Sequence, residues 1–330
     1  MNGLDRRSLM LGGGLWAGAG VRGLAQPPAP EVGAVKPDAM IDLWPGDPPG
    51  APTLLPQEAV QDRSSDPAAP DRALLHIARP RLALFRAHRP NGAAMLVMPG
   101  GGYNYVVIDK EGYEIGPWLA ARGVSVFVLF YRLPQEGWRA GADVALSDAQ
   151  RAMRLIRHRA PTLAIDSRRV GAMGFSAGGH VCADLATRFA KATYHSVDAA
   201  DALSARPAIA APIYPVVSMH RPEAHEGSRR NLIGESPTAA MERRHSPHEN
   251  VGSVSPPCFL VHAEDDPAVP IANSLLLRAA WRAEGLAVES HFFAEGGHGF
   301  GLKRASGKPA AIWPELFLHW MAAQRMTGNG

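Results

Sequence analysis

From residue 81 to the C-terminus, short apolar runs alternate with helix-length stretches, and that alternation constrains the fold more than any other feature of the chain. Strand-like runs fall at 81–88, 93–98, 125–130, 169–175, 208–214, 257–263 and 288–293. Helical patterns lie between and after them, at 112–122, 142–159, 177–190, 271–284 and 310–326. Several strand runs are apolar at nearly every position, as strands are when helices cover both faces of a sheet. Alternating β and α elements of this kind give a mostly parallel, doubly wound sheet in one α/β domain. One segment breaks the rhythm. The polar stretch 216–254 carries Arg229-Arg230, Arg243-Arg244 and several histidines, and it falls between two strand runs. An insertion of that length reads as a cap or lid beside a site, with a solvated excursion as the plainer alternative.

The 330 residues are 46% hydrophobic and 20% charged, which supplies enough apolar material for a sizeable core. The formal net charge is +3, and most of the excess sits in residues 1–25, where Arg6, Arg7 and Arg22 face only Asp5. The nearly neutral remainder gives no electrostatic case for nucleic acid or an anionic membrane as partner. Residues 1–25 read as an export signal. Arg6-Arg7 precedes a glycine-rich apolar run too short to span a membrane, and Gly23-Leu24-Ala25 is a small-x-small cleavage pattern. The twin arginine implies the Tat machinery, which exports folded proteins, and a periplasmic or secreted product. No Cys follows the leader, which argues against a lipid anchor. Residues 26–70, rich in proline and alanine, read as an extended arm over the surface and leave 71–330 for the folded domain. Cys182 falls in an apolar helix pattern and Cys258 in an apolar strand pattern, so two buried free thiols are expected in preference to a bridge.

Gly174-Phe175-Ser176-Ala177-Gly178 sits where the strand run 169–175 meets the helical pattern 177–190. A G-x-S-x-G pentapeptide at such a turn lifts the serine hydroxyl clear of the sheet, with helix N–H groups behind it. A hydroxyl is a weak nucleophile and needs a base, which in turn needs an orienting acid. Glu295-Gly296-Gly297-His298-Gly299-Phe300 follows the last strand run, and glycines on both sides of His298 suit a loop from which an imidazole reaches across a sheet edge. Asp265-Asp266 follows the run 257–263; adjacent side chains rarely point the same way, so one of the two faces His298. The chain order serine, aspartate, histidine is that of the α/β hydrolases.

Acyl transfer also needs donors for an oxyanion. The Ala177 N–H, next to Ser176, is one. Met98-Pro99-Gly100-Gly101-Gly102-Tyr103 follows an early strand run and supplies the others, Gly101 and Gly102, to within one residue of register. Other polar residues read as structural. His180 and His262 are close in sequence to Ser176 and Asp266, and Asp148, Arg151 and Arg154 fall at the spacing of a salt-bridged helix surface. His245-Ser246-Pro247-His248 has no carboxylate or cysteine cluster with which to make a metal site, and the acyl-serine route needs no cofactor.

Leu43-Trp44-Pro45-Gly46, Glu111-Gly112, Trp118-Leu119, Tyr131-Arg132-Leu133, Asp148-Ala149-Gln150-Arg151 and Leu232-Ile233-Gly234 add to these motifs. Together they resemble the small α/β-hydrolase esterases related to acetyl xylan esterases, and more distantly the hormone-sensitive-lipase-like group. The resemblance runs from about Leu43 to the C-terminus and implies the α/β-hydrolase fold, with deacylation of acetylated sugars and small esters as the activity. It also singles out Asp266 as the acid, because Asp-x-x-Val-Pro, here Asp266 to Pro270, is the loop pattern in those hydrolases. One departure matters: the lipase-like group has His-Gly-Gly-Gly where Pro99 precedes the glycines here, which weakens any transfer of long-acyl specificity. Between 215 and 256 there is no Phe, Tyr or Trp, so the insertion offers neither a greasy lid nor a stacking surface. Tyr103, Tyr214 and Phe300, near the motifs, are then the candidate substrate-binding aromatics. The expected reaction is hydrolysis of acetyl esters of xylan-derived or other plant oligosaccharides. The alternatives are a general carboxylesterase or lipase-like enzyme, an amidase or peptidase with the same triad, and an inactive carbohydrate-binding relative.

Overall fold

A computed structural model of the chain describes residues 35–66 and 69–327. The leader read at 1–25 and the start of the proline-rich arm, 26–34, lie outside the described residues. The strands are β1 Ala39–Asp42, β2 Ala59–Asp62, β3 Arg72–Leu75, β4 Arg81–Phe85, β5 Ala94–Met98, β6 Val106–Val107, β7 Ser125–Phe130, β8 Val170–Phe175, β9 Ala210–Ile213, β10 Cys258–Ala263 and β11 Val288–Phe293. The α-helices are α1 Ile115–Ala120, α2 Val144–Arg159, α3 Ala177–Arg188, α4 Glu226–Ile233, α5 Ala239–Arg244, α6 Ala272–Ala283 and α7 Trp313–Ala323.

The main sheet has the order β1-β4-β7-β5-β8-β9-β10-β11. Every neighbouring pair from β7 to β11 is parallel, and β4 and β1 are antiparallel additions at one edge. The apolar runs explain the burial: β5, β7, β8 and β10 are buried at every position, so both faces of the sheet are covered. Register then brings the functional loops to one edge. Met98 pairs with Gly174, Phe175 with Ile213, and Ala263 with Phe293, so the segments that follow β5, β8, β9, β10 and β11 all leave the sheet at its carboxyl end. That is where open parallel sheets place their sites.

The structure corrects the reading of 26–70 as a surface arm. β1 extends the main sheet alongside β4, and β2 joins β3 and β6 in a separate three-stranded sheet. Leu43 is fully buried, which contributes about 2 kcal/mol, and Trp44 is buried beside it. The Trp44 indole Nε1 donates to Asp148 Oδ1 at 3.0 Å, a contact between residues more than a hundred positions apart that no local pattern announces. The same carboxylate overturns the expected salt-bridged helix surface on α2. Asp148 is fully buried and pairs with Arg132 at 2.7 Å; Arg151 is buried as well and pairs with Asp198 and Asp201 at 2.5 and 3.1 Å. These ion pairs bind α2 to other segments and not to itself. Cys182 and Cys258 are buried free thiols.

The expected helix 112–122 is shorter, because a wide π-type turn occupies Asp109–Tyr113 before α1 begins. The insertion 216–254 is not structureless. It contains α4 and α5, whose starts are capped by side chains: His225 accepts from the Ser228 N–H and Thr238 from the Met241 N–H.

Candidate active site

Ser176 stands at the strand-to-helix turn between β8 and α3 with φ 53 and ψ −119, a strained conformation for a residue with a side chain. The turn is possible because its flanks have no side chains. A Cβ at Gly174 would lie 2.0 Å from the Gly178 carbonyl oxygen, and one at Gly178 would lie 2.0 Å from that of Met98. The second contact seats the turn against the end of β5, where the glycine loop begins. The Ser176 N–H donates to Ile213 O, and its own carbonyl accepts from His180 and Val216 N–H, each at 3.1 Å.

His298 Nε2 lies 2.9 Å from Ser176 Oγ, and its Nδ1 lies 2.7 Å from Asp266 Oδ2. An ionised carboxylate only accepts, so it holds the proton on Nδ1 and leaves Nε2 free to accept from the serine. Asp266 is wholly buried at its side chain. Burial alone would raise its carboxyl, but hydrogen bonds from His262 and His298 hold it well below the usual carboxylate range. Its other oxygen accepts from Ala268 and Val269 N–H at 2.8 and 2.9 Å. The neighbouring Asp265 points elsewhere and accepts from Gly296 and Gly297 N–H at 2.8 and 2.7 Å, fixing the turn that leads into His298.

His262, which the sequence presents as structural, lies with its Nε2 3.2 Å from Asp266 Oδ2. It is anchored behind the acid by Val269 O and Ser274 Oγ, at 3.0 and 2.8 Å. A histidine four positions before the acid, at a strand end, was the available signal.

The glycine loop is held by its carbonyls. Pro99 O accepts from the Tyr131 hydroxyl at 2.7 Å, Gly100 O from Val107 N–H at 3.0 Å, and Gly101 O from Asn104 and Tyr105 N–H at 3.0 and 3.3 Å. Gly102 O accepts from Asn231 Nδ2 of the insertion at 2.9 Å. Gly100 N–H is taken by Glu111 at 2.8 Å, whereas the N–H groups of Gly101, Gly102 and Ala177 have no acceptor among the described residues. Gly101 has φ 136 and Gly102 φ 63, and a Cβ at Gly101 would lie 2.0 Å from Tyr105 O, so only glycine serves at that position. A Cβ at Gly100 would lie 2.9 Å from Ser176 Cβ, which measures how closely the loop approaches the nucleophile.

The structure does not support substrate stacking on Tyr103, Tyr214 or Phe300. They are 2%, 0% and 1% exposed, and their rings pack inward. The Tyr103 hydroxyl lies 2.6 Å from His180 Nδ1. Tyr214 meets His298 edge-on at 5.2 Å between ring centres, and Phe300 at 4.5 Å. Tyr214 and Phe300 form the wall behind His298, Tyr103 packs on His180, and none of the three leaves a ring face for a sugar. His180 is structural as expected: its Nε2 lies 2.7 Å from His245 O, and burial pushes its pKa down to about 4.

Residues 86–281 match the BD-FAE family. An acetylxylan esterase from Xylanibacter ruminicola is 30% identical over 225 residues, covering 67% of this chain and 44% of the relative. An endo-1,4-beta-xylanase B from Butyrivibrio fibrisolvens is 36% identical over 205 residues, covering 62% of this chain and 32% of the relative. The chain therefore spans less than half the length of these two curated relatives. An acetyl ester-xyloside bifunctional hydrolase from Caldicellulosiruptor lactoaceticus, of known structure, superposes with a TM-score of 0.73 at 33% identity, over 90% of this chain and 100% of that one. With an elbow serine, a glycine loop and a sheet of this order, the chain belongs to the BD-FAE family and has the α/β-hydrolase fold.

Proposed function

We propose that this protein is a serine esterase that removes short acyl groups, acetyl first, from soluble sugar esters of the xylan-derived kind, through an acyl-enzyme on Ser176. The observation that carries this reading is the hydrogen-bonded line Asp266–His298–Ser176, at 2.7 and 2.9 Å, beside three unspent backbone N–H groups. His298 takes the Ser176 proton as Oγ attacks the ester carbon. The resulting oxyanion is received by the Ala177 N–H and those of Gly101 and Gly102. Collapse breaks the bond to the alcohol oxygen, which leaves with the proton from His298 and gives acyl-Ser176. His298 then draws a proton from water, hydroxide adds to the acyl carbon, and the carboxylic acid departs as Ser176 regains its proton. Asp266 stays ionised and holds the imidazole in the productive tautomer.

The substrate class rests on the similarity to the acetylxylan esterase and to the acetyl ester-xyloside hydrolase, and on an insertion without aromatic side chains. A site without a large apolar cap gains little from each added methylene. Export by the twin-arginine route would place the protein in the periplasm or outside the cell, where acetylated oligosaccharides arrive, and an exported chain beginning at Gln26 would support it. The test of the function is a chain-length series. kcat/KM should fall steadily from acetyl to octanoyl p-nitrophenyl esters, and acetylated xylo-oligosaccharides should be deacetylated faster than the intact polymer. A maximum at octanoyl would make the protein a lipase-like carboxylesterase instead, and faster turnover of an amide would make it an amidase.

A further inference from the structure

One buried carboxylate near the site takes no part in the acyl-transfer line. Glu111, in the wide turn Asp109–Tyr113, is 2% exposed. Its Oε2 accepts the Gly100 N–H at 2.8 Å, and its Oε1 accepts the Tyr214 hydroxyl at 3.1 Å. The Tyr214 oxygen in turn accepts the Gly301 N–H at 3.1 Å. A Cβ built on Gly299 would come within 3.7 Å of Glu111 Oε1, so the carboxylate also closes on the residue after His298. A buried carboxylate is costly unless donors meet it. The donors here come from the glycine loop and from the end of β9, and through the Tyr214 oxygen the carboxylate reaches Gly301 on the loop that carries His298.

That placement matters because backbone donors act only when they are fixed about 3 Å from where the oxyanion will form. Three consecutive glycines have no conformational preference strong enough to do this alone. Their carbonyls are held from several sides, but among the described residues the Gly100 N–H is held only by Glu111. We propose that Glu111 is a positioning residue for acyl transfer, tying the glycine loop to the His298 loop through Gly100 and Tyr214 so that the oxyanion donors and the general base keep one spacing. The proposal rests on the acyl-serine reading above.

The test compares Glu111→Gln, Tyr214→Phe, their double variant and Ser176→Ala on p-nitrophenyl acetate. It also measures inhibition by an aryl boronic acid, which forms a tetrahedral adduct with an active-site serine. Glutamine keeps the size of the side chain but loses the charge and turns one acceptor into a donor: facing Gly100 that donor breaks the link, and facing Tyr214 it competes with the Gly301 N–H for the phenol oxygen and leaves the hydroxyl proton without its acceptor. Glu111→Gln should lower kcat by about 10²-fold with KM changed less than about threefold, the cost expected of donors displaced by a fraction of an ångström. The boronate inhibition constant should rise by the same factor as kcat/KM falls. Tyr214→Phe keeps the ring against His298 and removes only the linking hydroxyl; it should lose about tenfold. The double variant should be no worse than Glu111→Gln alone, because both cut one chain. Should Glu111→Gln fail to fold, Tyr214→Phe carries the same test through the other half of the link. Wild-type kcat and boronate affinity in the single variants, or losses that multiply in the double variant, would overturn the proposal while an inactive Ser176→Ala left the acyl-serine reading standing. An active Ser176→Ala would overturn both.

Discussion

The carboxyl edge of the sheet and the insertion above it differ in how much of their polar chemistry is buried. At the sheet edge the polar groups of Ser176, Asp266, His298 and the glycine loop carbonyls are buried or half-buried, and each meets a partner of fixed geometry. In the insertion Arg229 is buried against Glu242 at 2.5 Å, but other pairs lie at the surface, such as Arg221 with Glu226 at 2.6 Å. Exposed pairs of that kind contribute little and are screened by salt. The difference teaches where each property resides. On the proposed reading, reaction geometry belongs to the sheet edge, where a displaced atom is costly, and substrate preference is assigned to the insertion. The two regions are joined by hydrogen bonds at Asn231–Gly102 and at His180–His245.

The sharpest way to break that comparison is within the sheet edge itself. Asp266→Asn should lower kcat by about 10⁴-fold, because an amide favours the wrong tautomer of His298. Asp265→Asn should lose less than about tenfold, since an amide oxygen can still accept from Gly296 and Gly297. Steady-state kinetics on p-nitrophenyl acetate decide it, and equal losses at the two positions would mean that the pair acts as one acidic patch.

The next prediction concerns the joint between the regions. Burial lowers both His180 and His245 from the ordinary 6.5 to about 4, and for His245 the carboxylates of Asp184 and Asp143 only partly oppose it. Both histidines are neutral in the fold, whereas the unfolded chain protonates them at higher pH. Their contribution is therefore fully present above about pH 6.5 and is lost as pH falls towards about 4, by up to about 1.4 kcal/mol per pH unit for each. Denaturant melts across that window should show the decline, and a flat stability would mean that the joint does not titrate as a buried pair.

How much of this was legible in the sequence follows the same division. The alternation of apolar runs predicted the sheet, because strands covered on both faces carry their signature locally. Ser176 and His298 were legible because glycines flank each of them, and the choice of Asp266 over Asp265 came from the resemblance alone. The structure separates those two acids by turning them to different partners. What could not be read depends on long-range burial. Trp44 looked like part of a surface arm until Asp148 met its indole, and Tyr103, Tyr214 and Phe300 looked like stacking surfaces until their rings turned inward. Glu111 and His262 are named in the sequence without these roles for the same reason: each role is defined by the backbone and side chains the residue meets.

The smallest expected effect tests whether the insertion steers the loop it touches. Asn231→Ala removes the only side-chain donor to the Gly102 carbonyl among the described residues. Losing one such hydrogen bond, worth about 1 kcal/mol, should lower kcat/KM by about fivefold without altering thermal stability by more than a few degrees. An unchanged kcat/KM would confine the insertion to shielding and substrate selection.

The acyl-serine claim itself is tested most directly by trapping. Protein mixed with excess p-nitrophenyl acetate and quenched in acid within the first turnovers should release a burst of p-nitrophenol equal to the enzyme concentration. Peptide mass spectrometry of the quenched protein should then find a single acetyl group on the peptide that holds Ser176. The Ser176→Ala variant should show neither burst nor adduct. Steady hydrolysis with no acetyl group on that peptide, and with the Ser176→Ala variant still active, would contradict the account.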